Sequence, residues 1–268
     1  MKNKPIGIFD SGIGGLTVHR EIAEILPGED LLYLGDSARV PYGTKSRDIV
    51  TRFSVNVAEF LLSREVKMIV VACNTATAYA LDELRSQFDV PIIGVIEPGA
   101  RAAVSATESG RVGVIGTEGT MRSGAYFDAI KSIDQKVSVY LKACPLFVPL
   151  AEEGFLSNEL PRLAATEYLE CMKQEGVDTL VLGCTHYPLL KGVIQDELGD
   201  GVTLIDSAVA TAEAVNEVLT AEKLLRRPRK RGAKHTFCVT DSPERFIKVG
   251  EKFLDREIPG VELVDLGA

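Results

Sequence analysis

The chain carries an approximate copy of itself, and this repeat restricts the folds open to it more than any other feature. Ile6-Gly7-Ile8-Phe9-Asp10-Ser11-Gly12 aligns with Val112-Gly113-Val114-Ile115-Gly116-Thr117-Glu118, each an apolar run entering a small polar turn. Further along, Met68-Ile69-Val70-Val71-Ala72-Cys73-Asn74-Thr75 aligns with Thr179-Leu180-Val181-Leu182-Gly183-Cys184-Thr185-His186. Asp10 precedes Cys73 by 63 positions and Gly116 precedes Cys184 by 68, so the spacings agree as well. A supersecondary unit used twice is the physical meaning of such self-similarity. The two copies can be related by an approximate twofold operation that brings one cysteine from each side.

Short Ile- and Val-rich runs alternate with helical patterns of ten to twenty residues. The strand-like runs are Ile6–Phe9, Leu31–Leu34, Met68–Ala72, Ile92–Ile96, Val112–Ile115, Val137–Leu141, Thr179–Leu182 and Thr203–Ile205. Ile49–Leu62 and Ala76–Phe88 are amphipathic at helical spacing. The alternation predicts an α/β fold with mainly parallel sheets flanked by helices. The repeat predicts two similar, pseudo-twofold-related domains with the active site in the cleft between them. Ligands on such folds sit at the carboxyl ends of strands. At 268 residues the chain is long enough for two domains. The boundary is expected near Glu97-Pro98-Gly99, read as turn residues after a strand. A strand, a helix and a last strand (Val261–Leu266) come after His235, and they are assigned to the first domain because the second already has a full set. The first domain is then 1–97 plus 208–268, and the second is 98–207.

Bulk composition excludes several function classes. Hydrophobic residues make up 46%, and no run approaches the roughly 18 apolar residues of a membrane span. Met1–Pro5 is too short and polar for a signal peptide, which predicts a cytoplasmic protein without a membrane role. Five widely spaced cysteines (Cys73, Cys144, Cys171, Cys184, Cys238) are expected to be free thiols. Without a CxxC pair or an HExxH helix, and with His19, His186 and His235 scattered, no metal site is expected. A net charge of −8 makes nucleic acid a poor partner. The basic stretch Arg226–Lys234, interrupted by Pro228 and Gly232, reads as a solvated linker.

Cys73 and Cys184 each end a strand-like run and precede polar residues that begin a helix or turn. A cysteine in an apolar strand is ordinarily a small core residue, and Cys144, Cys171 and Cys238 keep that reading. Equivalent positions in two copies, each flanked by polar side chains, fit a core poorly. A helix amino terminus favours thiolate over thiol. Removing an α-hydrogen from one face of an amino acid and returning one to the other needs a base and an acid on opposite sides. Two thiols suit this, because an ordinary pKa of about 8.5 lets thiolate and thiol coexist near neutrality. Asp10 could orient a thiol or bind an ammonium group, and His186 could assist Cys184. Asp10-Ser11 can equally be a turn or helix cap, and His186 merely a hydrogen-bonded histidine.

These residues carry a resemblance over nearly the whole chain. Asp10-Ser11-Gly12-Ile13-Gly14-Gly15, Pro41-Tyr42-Gly43, Ala72-Cys73-Asn74-Thr75-Ala76 and Gly183-Cys184-Thr185-His186-Tyr187-Pro188, in this order, resemble the glutamate racemases. Pro149-Leu150-Ala151-Glu152-Glu153-Gly154 is similar to that family's acidic loop. The resemblance implies a cofactor-independent interconversion of L- and D-glutamate that supplies the D-isomer for peptidoglycan. It implies Cys73 as the base toward the D-isomer and Cys184 as the base toward the L-isomer. It implies substrate contacts from Asp10, Ser11, Tyr42, Gly43, Asn74, Thr75, Thr185 and His186, with Asp36, Thr117, Thr120 and Glu152 in supporting places. It also implies a homodimer, since such proteins often pair. Aspartate racemases share the two-cysteine plan and are the alternative. A dinucleotide-dependent oxidoreductase is disfavoured, because Thr17 stands where a third glycine would be needed and Asp10 would repel a pyrophosphate. A two-domain binder would need a cleft but no paired thiols.

Overall fold

A computed structural model describes residues 1–226 and 232–267. Among the described residues ten strands form in chain order: β1 (Ile6–Asp10), β2 (Leu31–Gly35), β3 (Met68–Val71), β4 (Ile92–Gly94), β5 (Arg111–Gly116), β6 (Ser138–Ala143), β7 (Thr179–Gly183), β8 (Thr203–Asp206), β9 (His235–Val239) and β10 (Glu262–Leu263). The helices are α1 (Leu16–Ile25), α2 (Arg47–Ser63), α3 (Asn74–Gln87), α4 (Ile96–Ala106), α5 (Glu118–Ser123), α6 (Ala125–Ile133), α7 (Phe147–Glu153), α8 (Glu159–Gln174), α9 (Lys191–Leu198), α10 (Ser207–Ala221) and α11 (Pro243–Leu254).

Every strand pairing is parallel, because a helix returns the chain between neighbours. The inner strands β1, β3 and β7 are buried along their whole length, which is why they read as continuous apolar runs rather than alternating ones. One sheet has the order β10-β9-β2-β1-β3-β4 and the other β6-β5-β7-β8. Aligning β1 to β4 with β5 to β8 makes the shared order identical, so the repeat is a repeat of topology. The first sheet is extended past β2 by the two strands from the C-terminal segment. In both sheets the winding direction reverses between the first and third strands of the copy. There the strand ends leave a crevice for a ligand, and in these crevices lie Asp10 with Cys73 and Thr117 with Cys184.

The chain passes from one sheet to the other at β4–α4 and at β8–α10. α4 packs on α6, β7 and β8, while α10 packs against both α1 and α4. Glu97-Pro98-Gly99 is not the turn expected from the sequence but the first turn of α4. Proline fits there because a first-turn N–H has no intrahelical partner to lose. β4 consequently stops at Gly94 rather than running to Ile96. Of the basic stretch Arg226–Lys234, residues 227–231 lie outside the described residues. Arg226 itself is buried rather than solvated: its backbone N–H donates to Glu29 at 2.7 Å and its guanidinium pairs with Asp30.

Candidate active site

Asp10, Cys73 and Cys184 stand where buried strands run out. β1 ends at Asp10, whose carboxylate accepts the Gly12 N–H at 3.0 Å and so closes the Asp10–Gly15 turn. β3 delivers Cys73 to the N-cap of α3, where its sulfur accepts the Ala76 N–H at 3.5 Å. The Cys73 thiol donates to Ser11 Oγ at 3.8 Å. β7 delivers Cys184 to a short 3-10 turn, Tyr187–Leu190, with Thr185 and His186 between. The two turns touch. Thr17 donates its hydroxyl to the Thr185 carbonyl at 3.2 Å, and a Cβ on Gly14 would lie 2.2 Å from Thr185 Oγ1 and 2.5 Å from the His186 ring. Gly43 has the same role on the opposite wall, where a Cβ would come within 2.7 Å of Thr117.

The two thiols line one cavity of about 320 Å³. Ser11, Tyr42, Gly43, Asn74, Thr75, Thr117, Glu152, Thr185 and His186 line it too, so nine of the expected site residues converge with both cysteines. Val40, Pro41, Pro145, Val148 and Pro149 supply apolar wall. Pro41 and Pro149 belong to motifs already singled out, whereas nothing in the sequence distinguished Val40, Pro145 and Val148, since apolar residues of loops and short helices carry no periodic signal.

Asp10, Asp36 and Thr120 stand behind the lining. Asp10 is buried, and its Oδ1 has no hydrogen-bond partner among the described residues. Asp36 is a structural hub that accepts from Arg39 Nε at 2.8 Å, from the Thr240 hydroxyl at 3.0 Å and from the Tyr42 phenol. The Tyr42 hydroxyl is therefore engaged away from the cavity. Thr75, Thr117 and Thr120 form a triangle of hydroxyls 2.9 to 3.1 Å apart that joins α3 of one copy to the β5–α5 turn of the other.

The two halves of the site differ in charge. His186 stands between Cys184 Sγ, 3.8 Å from Nδ1, and Glu152 Oε1, 3.1 Å from Nε2. A carboxylate only accepts, so Nε2 carries the proton toward Glu152 and Nδ1 is left to exchange one with the sulfur. Burial alone would lower the His186 pKa, but hydrogen bonds to Cys184 and Glu152 outweigh it and push it up to about 10. Glu152 is in turn held below the usual carboxylate range, first by its bond to His186. Arg245 of α11 reaches the other Glu152 oxygen at 3.1 Å, a contact the sequence did not reveal because 93 positions separate the two.

On the other side no histidine is present. Burial, reinforced by the Asp10 carboxylate, pushes the Cys73 thiol up to about 12. Burial also raises Asp10 itself. A thiolate-favouring helix terminus was expected at both cysteines. At Cys73 desolvation and Asp10 overcome it, and at Cys184 no α-helix begins, the Tyr187 N–H bonding back to the Cys184 carbonyl at 3.1 Å instead.

Among the described residues, no cluster of three or more His, Cys, Asp or Glu side chains is placed to hold a metal ion, and no helix is long and apolar enough to cross a membrane. The site can hold a small molecule bearing carboxylates. The α3 amino terminus presents the N–H groups of Asn74 and Thr75, which have no acceptor within the helix, the hydroxyl triangle lies beside them, and such donors favour anions. A sulfur from each copy then faces whatever is bound.

Comparison with known proteins shows the chain's relatives. A chain from Geobacter metallireducens named glutamate racemase is 57% identical over 265 residues, covering 99% of this chain and 98% of that one. The glutamate racemase of Francisella tularensis, solved in complex with D-glutamate, is 41% identical with a TM-score of 0.93 and 99% of both chains covered. The Bacillus anthracis glutamate racemase structure superposes with a TM-score of 0.95 at 41% identity, again over 99% of each chain. The model of the Asp/Glu/hydantoin racemase family matches residues 6–215, which span both cysteine-bearing copies, and the chain belongs to that family.

Proposed function

We propose that this protein is a glutamate racemase that interconverts L- and D-glutamate without a cofactor. The observation that carries the reading is the pair of thiols, one from each copy of the repeat, lining a single small cavity. Full-length relatives named glutamate racemase support the substrate.

The α-carboxylate sits against the donors of α3 and the hydroxyl triangle, and the ammonium group lies near the buried Asp10 carboxylate. The ammonium charge offsets the effect of Asp10 on Cys73 and acidifies the α-hydrogen. From L-glutamate, the Cys184 thiolate takes the α-proton. His186, held by Glu152, stands beside that sulfur and meets the new S–H after the step. The electron pair of the broken C–H bond is delocalised into the α-carboxylate, and the Cys73 thiol gives its proton to the opposite face. D-glutamate leaves, with Cys73 as thiolate and Cys184 as thiol, and the reverse direction exchanges the roles. Ser11, the backbone of Tyr42 and Gly43, Thr185 and His186 complete the substrate contacts, while Asp36, Thr117, Thr120 and Glu152 hold them in place.

The domain limits that accompany this reading are 1–97 plus 208–268 and 98–207. They are supported by strand membership in the two sheets, and a rotation axis away from the β4–α4 and β8–α10 crossings in free and bound structures would overturn them. We place the enzyme in the cytoplasm, working as a homodimer in peptidoglycan precursor synthesis. The exposed Leu146, Leu160 and Leu163 are available to such pairing.

The test is incubation with L-glutamate in deuterated water, monitored by proton NMR and circular dichroism. Loss of dichroism should accompany deuterium at the α-carbon of the D-isomer, with protium retained early in the L-pool. Cys73→Ser and Cys184→Ser should each lose at least about a thousandfold in racemisation with the fold intact. Full activity in either variant would remove the two-thiol mechanism, and unchanged glutamate with the wild type would remove the activity.

A further inference from the structure

Asn74 lines the cavity one residue after Cys73, and its amide is held from the other half of the molecule. The Tyr126 hydroxyl, from the start of α6, donates to Asn74 Oδ1 at 2.7 Å. Both side chains are buried, and Asn74 Nδ2 has no hydrogen-bond partner among the described residues. Leaving a buried amide NH2 unpaired is costly unless a ligand completes it. An asparagine amide offers lone pairs on one side and two donors on the other, and its two orientations are almost equal in shape. A carboxylate only accepts, so one orientation attracts it and the other repels it. The phenol proton on Oδ1 selects the attractive one.

The Tyr126 ring has a second contact at the partner thiol. Gly183, the residue before Cys184, lies against it: a Cβ there would stand 3.0 Å from Tyr126 Cε2 and 2.7 Å from the Ile115 carbonyl oxygen. Gly124, at φ +73°, turns the chain between α5 and α6 and sets Tyr126 in the first turn of α6. One side chain thereby touches the residue after Cys73 and the residue before Cys184.

We propose that Tyr126 is a positioning residue of the racemase site: its hydroxyl holds the Asn74 amide with the NH2 group free for a substrate carboxylate, and its ring seats the strand end that carries Cys184. This rests on the glutamate racemase reading. Substrate binding depends on the hydroxyl, and the packing of β7 depends on the ring, so the two contributions separate in one substitution.

The experiment is Tyr126→Phe, which keeps the ring and removes the hydroxyl. KM for both enantiomers and the calorimetric Kd for D-glutamate should rise about tenfold, as for one lost hydrogen bond to a charged ligand group, with kcat within about threefold of wild type. Added to Asn74→Ala, the same substitution should change KM by less than about twofold, because its effect runs through that amide. Unchanged KM and Kd in Tyr126→Phe, or an undiminished effect without Asn74, would overturn the proposal. If Tyr126→Phe does not fold, a structure of the wild type with D-glutamate decides it. Asn74 Nδ2 must then lie within hydrogen-bond distance of a substrate carboxylate oxygen, and Oδ1 in that place would refute the assignment. A wild type that neither binds nor racemises glutamate overturns the activity and this role together, whereas a normal wild type with an indifferent Tyr126→Phe overturns the role alone.

Discussion

Gly14→Ala adds a single methyl group at the point where the two copies meet. The new Cβ would stand 2.2 Å from Thr185 Oγ1 and 2.5 Å from both Cε1 and Nδ1 of His186, against ordinary contacts of 3.4 to 4 Å. Gly14 is not among the glycines with positive φ, so alanine meets no backbone penalty and the whole effect is steric. The Thr185–His186 turn must retreat by roughly 1 Å, a displacement at reacting groups that costs on the order of a hundredfold in rate. His186 Nδ1 sits 3.8 Å from the Cys184 sulfur, so the retreat falls directly on the thiol's proton partner. Overpacking costs about 1 to 3 kcal/mol, which lowers Tm by several degrees without unfolding a protein of this size. Racemisation monitored by the circular dichroism of glutamate should fall about a hundredfold, with far-ultraviolet dichroism unchanged. Gly28→Ala, where a Cβ would meet nothing within 4 Å, serves as the neutral control. Gly14→Ala with activity within threefold of wild type would show that the turn does not set the His186 position and would refute this steric coupling.

The charge arrangement and the surface each lead to further outcomes. Glu152→Gln removes one of the groups that, with Cys184 and Asp10, hold His186 up to about 10, so the alkaline limb of the kcat/KM profile should move to lower pH, and an unmoved limb would detach Glu152 from the histidine. The same shift acts on stability: the folded pKa lies above the ordinary value of 6.5, so the contribution is complete below that pH and is lost as pH rises toward 10. Melting temperatures across this window should decline less in Glu152→Gln than in wild type. For the proposed homodimer, light scattering at micromolar concentration should return twice the 29.0 kDa chain mass, and a mass that stays at one chain would refute it.

Strand positions, the repeat and both cysteines were legible because each depends on residues close in sequence. An apolar run such as Met68–Val71 or Thr179–Leu182 reports burial on both faces, and the residues immediately after it lie at a strand end whatever the rest of the chain does. Glu97-Pro98-Gly99 was misread for the converse reason: proline and glycine mark turns on average, yet a first helical turn accepts proline equally well. The acidic residues divided along the same line. Glu152 lines the cavity, whereas Asp36 is consumed by Arg39, Tyr42 and Thr240, and no local pattern separates the two cases.

From the order of residues alone come the α/β class, a duplicated unit and two thiols at equivalent strand ends. Only the tertiary structure decides that these thiols share one cavity, that Cys184 has a histidine–carboxylate pair while Cys73 meets Ser11, Asp10 and the Ala76 N–H, and that Tyr126 and Arg245 reach site residues from distant segments. The physical reason is the range of the forces. Periodic burial is imposed residue by residue along the chain, whereas a hydrogen bond or an ion pair exists only after packing has brought its partners within about 3 Å.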